Sequence, residues 1–213
     1  MARWLVHDLR NPVQALTLTA HVMDEMPAGS PLAPREMIAQ QSAHLARSLE
    51  LLDRAFRPAS SELESGPIAL RGPVEFVAAL HRLLKTSARL DVTGALRPGL
   101  PAVLGREADL EHALLNLLIN ALDASAGRGE TTITLSAAPA GGRVALSILD
   151  DGPGVAEEMR ERLFQPSSGG LGLGVARTLL QRSGGTLEYL PEVGPGACFV
   201  VSLPVWPTTA RRG

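Results

Sequence analysis

The sequence predicts an α+β chain: an N-terminal antiparallel helical hairpin that dimerises into a four-helix bundle, followed by an α/β sandwich, a mixed sheet with helices on one face. Three observations predict it. Two long runs of helical period stand at the start, separated by a proline-rich break. Beyond residue 66, alternating apolar stretches that read as strands are interleaved with helical ones. Three short interruptions, Asn116-Leu-Leu-Ile-Asn120, Asp150-Asp-Gly-Pro-Gly154 and Gly170-Leu-Gly-Leu-Gly174, punctuate otherwise aliphatic sequence in the order helix, strand-end turn, glycine loop. The expected division is a hairpin over 1–57, a linker over 58–66, the α/β domain over 67–205 and a tail over 206–213.

The hairpin comes from residues 2–26 and 35–57. Between them Pro27-Ala-Gly-Ser-Pro-Leu-Ala-Pro34 forbids helix continuation. On the first helix Leu5, Leu9, Leu16, Ala20 and Met23 share a narrow sector; on the second Ile38, Leu45, Leu49, Leu52 and Phe56 do the same. Two stripes make a hairpin, and one this short buries too little to stand alone, so a homodimer is expected. The polar segment 58–67 then reads as a hinge.

In the α/β region the expected elements are a helix over 73–88 and a strand over 89–95. A helix over 107–126 comes next, free of Gly and Pro. Strands over 131–137 and 143–149, a short helix over 157–164, a helix over 175–182 and strands over 186–190 and 197–203 complete the sandwich. Gly184-Gly185 ends the last helix.

Composition narrows the function classes. The 213 residues are 45% hydrophobic but only 3% aromatic, which describes globular cores of Leu, Val and Ala. A formal charge of −2 gives no reason to expect nucleic acid or a membrane surface. No apolar run approaches a membrane span, so no membrane contact is expected from this segment. The single Cys198 cannot form an internal disulfide, which fits a reducing cytoplasm.

Each interruption has a chemistry of its own. At about 100° per residue, Leu110, Leu114, Leu117 and Ala121 share one face of their helix while His112, Asn116, Asn120 and Asp123 line another. That polar stripe is either a solvated face or, with two amides on successive turns, a holder for Mg²⁺ and phosphate oxygens. Asp150 stands at a strand end, where a carboxylate can accept from an exocyclic amine, and Gly152 and Gly154 let the backbone approach a base. Gly170, Gly172 and Gly174 open a helix, either as a plain turn or with N–H groups aimed at an anion. On the first hairpin helix His7 lies about 200° from Leu5, facing water, with Asn11 a turn further on. His44, His81 and His112 have no ligand-spaced partners, and no zinc-type cluster exists.

Taken in this order, the three segments resemble the N, G1 and G2 boxes of the histidine-kinase ATP-binding domain, a branch of the ATPase superfamily shared with gyrase and MutL. Phe164 in Leu163-Phe-Gln-Pro166 looks like the F box, and Gly194-Pro-Gly-Ala-Cys-Phe199 resembles the closing G3 strand. Upstream, His7-Asp-Leu-Arg-Asn-Pro12 resembles the H box of the dimerisation and phosphoacceptor hairpin, with Pro12 expected to bend its helix. The resemblance implies ATP and Mg²⁺ as cofactors, with Asn116 and Asn120 as metal ligands. It implies autophosphorylation of His7 with Asp8 taking the proton, transfer to an aspartate of a response regulator receiver domain, and phosphatase activity through Asn11. Hydrolysing branches carry a carboxylate at the position of Asn116, which argues against a plain gyrase-like ATPase.

The chain departs from the family pattern at several places. Only Gln-Pro-Ser-Ser-Gly follows Phe164 before Gly170, Lys85 is the sole lysine, Ser168 replaces the first G2 glycine, Asp123 a basic residue and Ala197 a threonine. These departures imply weak nucleotide binding and slow autophosphorylation, with Arg177 either replacing some of the lost charge or forming a surface salt bridge. They also leave a second reading open, a histidine phosphotransfer or docking protein with a vestigial ATP site. With His7 this near the first residue, the input is expected from an upstream sensor domain or a separate sensor protein.

Overall fold

The computed structural model describes residues 65–84, 86–164, 171–191 and 193–207. The expected hairpin, including His7, Asp8 and Asn11, lies outside the described residues, as does Gly170. In chain order the elements are β1 (Gly66–Ile68), α1 (Arg71–Leu84), β2 (Ala88–Gly94), β3 (Val103–Gly105), α2 (Glu107–Ser125), β4 (Thr131–Ala140), β5 (Arg143–Asp150), α3 (Glu157–Arg160), α4 (Leu171–Gln181), β6 (Thr186–Leu190) and β7 (Cys198–Pro204).

Five strands form a mixed sheet in the order β2-β4-β5-β7-β6, with β2 parallel to β4 and the other neighbours antiparallel. The register shows why one face is covered. Leu135 lies opposite Ile148, and Ile148 opposite Phe199. Ala137 lies opposite Leu146, Leu146 opposite Val201 and Val201 opposite Leu187. All of these side chains are buried. Period-two alternation puts Ser136, Ser147 and Val200 on the opposite face, where Ser136 and Ser147 share a 2.7 Å hydrogen bond and are only half-buried. The apolar face takes the helices. α2 packs against both α1 and α4, and its Leu110, Leu114, Leu117, Leu118 and Ala121 are at most 2% exposed.

The helix expected over 73–88 stops at Leu84. The imidazole Nε2 of His81 meets the Ala88 carbonyl at 2.9 Å and the Thr86 hydroxyl donates to the same oxygen at 3.3 Å, committing the segment to a turn into β2. β1 and β3 pair antiparallel as a separate two-stranded ribbon. Three-residue strands carry too little alternation to be read from sequence. No helix among the described residues is long and apolar enough to cross a membrane.

Candidate functional site

The site is laid out along α2. Its buried side faces the sheet, and the half-buried Asn116 and Asn120 sit on the flank between core and surface, while Asp123 is exposed. Asp123 therefore leaves the expected stripe for solvent. At the far end of α2, a Cβ built on Gly152 would touch Ala124 at 3.4 Å, so the 150–154 turn rests on the last turn of the helix. Nearer its middle, a Cβ built on Gly172 would lie 3.3 Å from Asn116 Oδ1, so the first turn of α4 rests on the first asparagine. Eight residues separate Asn116 from Ala124, about 12 Å at the helical rise. The two glycine contacts thus bracket a strip of α2 that runs from the Asp150 turn to the start of α4.

Asp150 ends β5 and is 2% exposed. Burying a carboxylate is costly unless donors meet it, and here two backbone N–H groups do. Gly152 donates to Oδ1 at 2.9 Å and Ala197 donates to the same oxygen at 3.1 Å. Both donors meet Oδ1, and among the described residues none meets the second oxygen, Oδ2. The backbone around it admits no extra atom: a Cβ on Gly196 would collide with both the carbonyl and the carboxylate of Asp150. Gly154 holds φ at +72°, in the left-handed region that L side chains rarely adopt, and a Cβ built on it would lie 3.4 Å from the Gly196 carbonyl. Next on the strand, the Cys198 thiol has its pKa raised by burial and by the Asp150 charge, so it is held in its unreactive protonated form.

The glycine loop differs from the expectation in one respect. α4 begins at Leu171 rather than at 175, so Gly172 and Gly174 lie inside its first turns. The backbone N–H groups of a first helical turn have no partner within the helix, so an anion is still favoured there. Each glycine has a packing reason: Gly172 lets the turn rest on Asn116, and a Cβ on Gly174 would lie 3.2 Å from the Phe164 carbonyl. Phe164 is further fixed by the Arg177 guanidinium, 5.3 Å from its ring centroid. That stacking gives Arg177 a role the sequence left open.

The donor set suits the groups expected. Amide oxygens from successive turns are hard ligands, and Mg²⁺ in phosphate sites takes only one or two protein oxygens while keeping waters. Among the described residues no cluster of three or more His, Cys, Asp or Glu side chains could hold a metal. Sequence reasoning missed the Ala197 N–H that grips Asp150, because a backbone donor carries no side-chain signature. The Gly196 preceding it was the available hint.

Residues 105–207 match the family described as histidine kinase-, DNA gyrase B-, and HSP90-like ATPase. The chain is 34% identical over 179 residues to the C4-dicarboxylate transport sensor protein DctB of Rhizobium meliloti, covering 79% of this chain and 28% of that one. It is 26% identical to the sensor histidine kinase ZraS of Escherichia coli, covering 96% of this chain and 45% of the relative. The sensory histidine kinase/phosphatase NtrB of Rhodobacter capsulatus is 25% identical, with 97% and 62% covered. The chain thus spans 28% to 62% of these relatives' lengths. Among solved structures, the mycobacterial sensor histidine kinase MprB superposes with a TM-score of 0.53 at 26% identity, over 67% of this chain and 99% of that one. The catalytic domain of histidine kinase ThkA gives 0.57 at 23%, over 67% and 97%, which speaks to the fold alone. Motif order, sheet topology and relatives converge: residues 105–207 belong to the histidine kinase-, DNA gyrase B-, and HSP90-like ATPase family, and the chain around them is similar to the transmitter regions of sensor histidine kinases.

Proposed function

We propose that this chain is the enzymatic core of a two-component sensor kinase, which phosphorylates its own His7 from ATP and passes the phosphoryl group to an aspartate of a response regulator receiver domain. The observation that carries the reading is the Asp150 carboxylate, gripped on one oxygen by two backbone amides and open on the other. That arrangement suits the exocyclic amine of adenine. Gly152, Gly154 and Gly196 let the backbone close around the carboxylate so that its second oxygen meets the base, while Gly170 and the first turn of α4, with Gly172 and Gly174, meet the phosphates. Asn116 and Asn120 would hold Mg²⁺, which would neutralise charge on the phosphate oxygens.

In the transfer, a ring nitrogen of neutral His7 attacks the γ-phosphorus. The N–P bond forms, the bond to the β-phosphate oxygen breaks and ADP leaves, while Asp8 takes the proton from the other ring nitrogen. An imidazole with a pKa of about 6.5 is largely neutral and nucleophilic at physiological pH. The regulator's carboxylate then attacks the same phosphorus and releases His7. Asn11 orients water for the reverse, dephosphorylating activity, consistent with the similarity to a kinase/phosphatase. The domains are 1–57 for dimerisation and phosphoacceptance, 58–66 for the hinge, 67–205 for nucleotide binding and 206–213 for the tail. A homodimer in the cytoplasm, fed by a sensor domain or sensor protein, completes the proposal.

The test is incubation with γ-labelled ATP and Mg²⁺. Acid-labile, alkali-stable label that disappears in His7→Gln and chases onto a receiver domain is expected. Absence of label with tight receiver binding would instead point to a docking protein, and steady phosphate release without labelled protein to a plain ATPase.

A further inference from the structure

The first turn of α2 carries a charge cluster outside the nucleotide strip. Asp109, the third residue of that helix, is 3% exposed, yet it is a carboxylate. Its Oδ2 accepts from Arg106 Nε at 3.1 Å, and its Oδ1 lies 3.7 Å from Nη1 of Arg182, the residue directly after α4. The opposite end of α4 is where Gly172 rests on Asn116. The two helices therefore run antiparallel and are tied at both ends, by backbone packing at the phosphate end and by this charged contact at the other. Little slack remains around the tie. The adjoining cavity, bounded by Ile68, Leu110 and Ser183 among others, is about 10 Å³, room for at most one water. Arg143 Nη2 also donates to the Gly184 carbonyl at 2.8 Å, holding the segment that follows Arg182.

We propose that Asp109 is a positioning residue for phosphate binding. Through Arg182 it fixes α4 along α2, and so sets the distance between the N–H groups of the first turn of α4 and the amides of Asn116 and Asn120, without touching the nucleotide. Moving α4 alters the phosphate end of the strip while the Asp150 turn, built on β5 and β7, stays in place. The inference rests on the nucleotide-binding reading above. Its signature is selective: the triphosphate loses affinity and the base does not.

Calorimetric titrations of the full chain with a non-hydrolysable ATP analogue plus Mg²⁺, and separately with adenosine, test it in Asp109→Asn, Arg182→Ala and Arg182→Lys. In the first two variants the dissociation constant for the analogue should rise roughly threefold or more, that for adenosine should be unchanged, and Arg182→Lys should recover most of the loss. If Asp109→Asn does not fold, the two Arg182 variants, at a side chain 43% exposed, carry the test. Equal weakening of both ligands, or no change in either, would overturn the inference. Failure of the unaltered chain to bind the analogue would overturn the nucleotide reading instead.

Discussion

The most informative single change is Asp150→Asn. The substitution is nearly isosteric, and its amide oxygen can still accept from the N–H groups of Gly152 and Ala197, so the turn keeps its shape. The other terminal atom changes from an acceptor to an NH₂ donor, which can no longer receive the amine of adenine. A hydrogen bond to a charged group is worth about 1.5–3 kcal/mol, so affinity for an ATP analogue should fall roughly 10- to 150-fold. The new donor faces the position where guanine carries a carbonyl oxygen, so the same variant should bind a GTP analogue relatively better than the unaltered chain does. Alanine would be a poor substitute. It strands two buried N–H groups at about 1–3 kcal/mol each and confounds binding with folding. Isothermal titration with both purine analogues, alongside thermal unfolding, reads the two effects separately. A variant that binds the ATP analogue within twofold of the original and keeps its purine preference would refute the assignment of Asp150 to the base.

Other predictions follow from single contacts. Gly196→Ala must displace the Asp150 turn, because the added carbon overlaps its carbonyl, and should both lower the melting temperature and weaken nucleotide binding. Arg143→Ala removes hydrogen bonds to the Ser202 hydroxyl at 2.7 Å, the Ser202 carbonyl at 2.9 Å and the Gly184 carbonyl at 2.8 Å; urea unfolding should show a loss of about 2–3 kcal/mol with base affinity retained. His81 has its pKa lowered below its usual value of about 6.5, chiefly by burial and partly by Arg82, against an opposing hydrogen bond to the Ala88 carbonyl. The unfolded chain therefore binds the proton more readily, so the contribution of His81 is fully present above about pH 6.5 and is lost as pH falls through the lower folded value. Urea midpoints at pH 7.5 and 5.5 should differ less in His81→Gln than in the original chain.

The parts of this molecule that sequence revealed are those written in side-chain period. α2 was legible because its aliphatic residues recur at helical spacing with no Gly or Pro, and the half-buried flank of Asn116 and Asn120 followed from the same geometry. Asp150 was legible because the alternation of 143–149 must end somewhere, and a carboxylate followed by glycines marks the place. What stayed hidden belongs to backbone and to tertiary pairing. The start of α4 was placed too late, because glycine reads as a helix breaker; here close packing against Asn116 and the Phe164 carbonyl outweighs that weak propensity. The Ala197 N–H and the pairing of Asp109 with Arg182 join residues far apart in sequence and leave no local trace. β1 and β3 are strands only because each supplies the other's partner.

Amide chemical-shift mapping during titration with Mg²⁺ and a non-hydrolysable ATP analogue asks whether nucleotide occupies the strip along α2. Shifts concentrated at Gly152, Gly154 and Ala197 at one end and at Gly172 and Asn116 at the other, with saturation at one equivalent, are the predicted result. Saturable shifts elsewhere on the domain, with these five amides unmoved, would contradict the account.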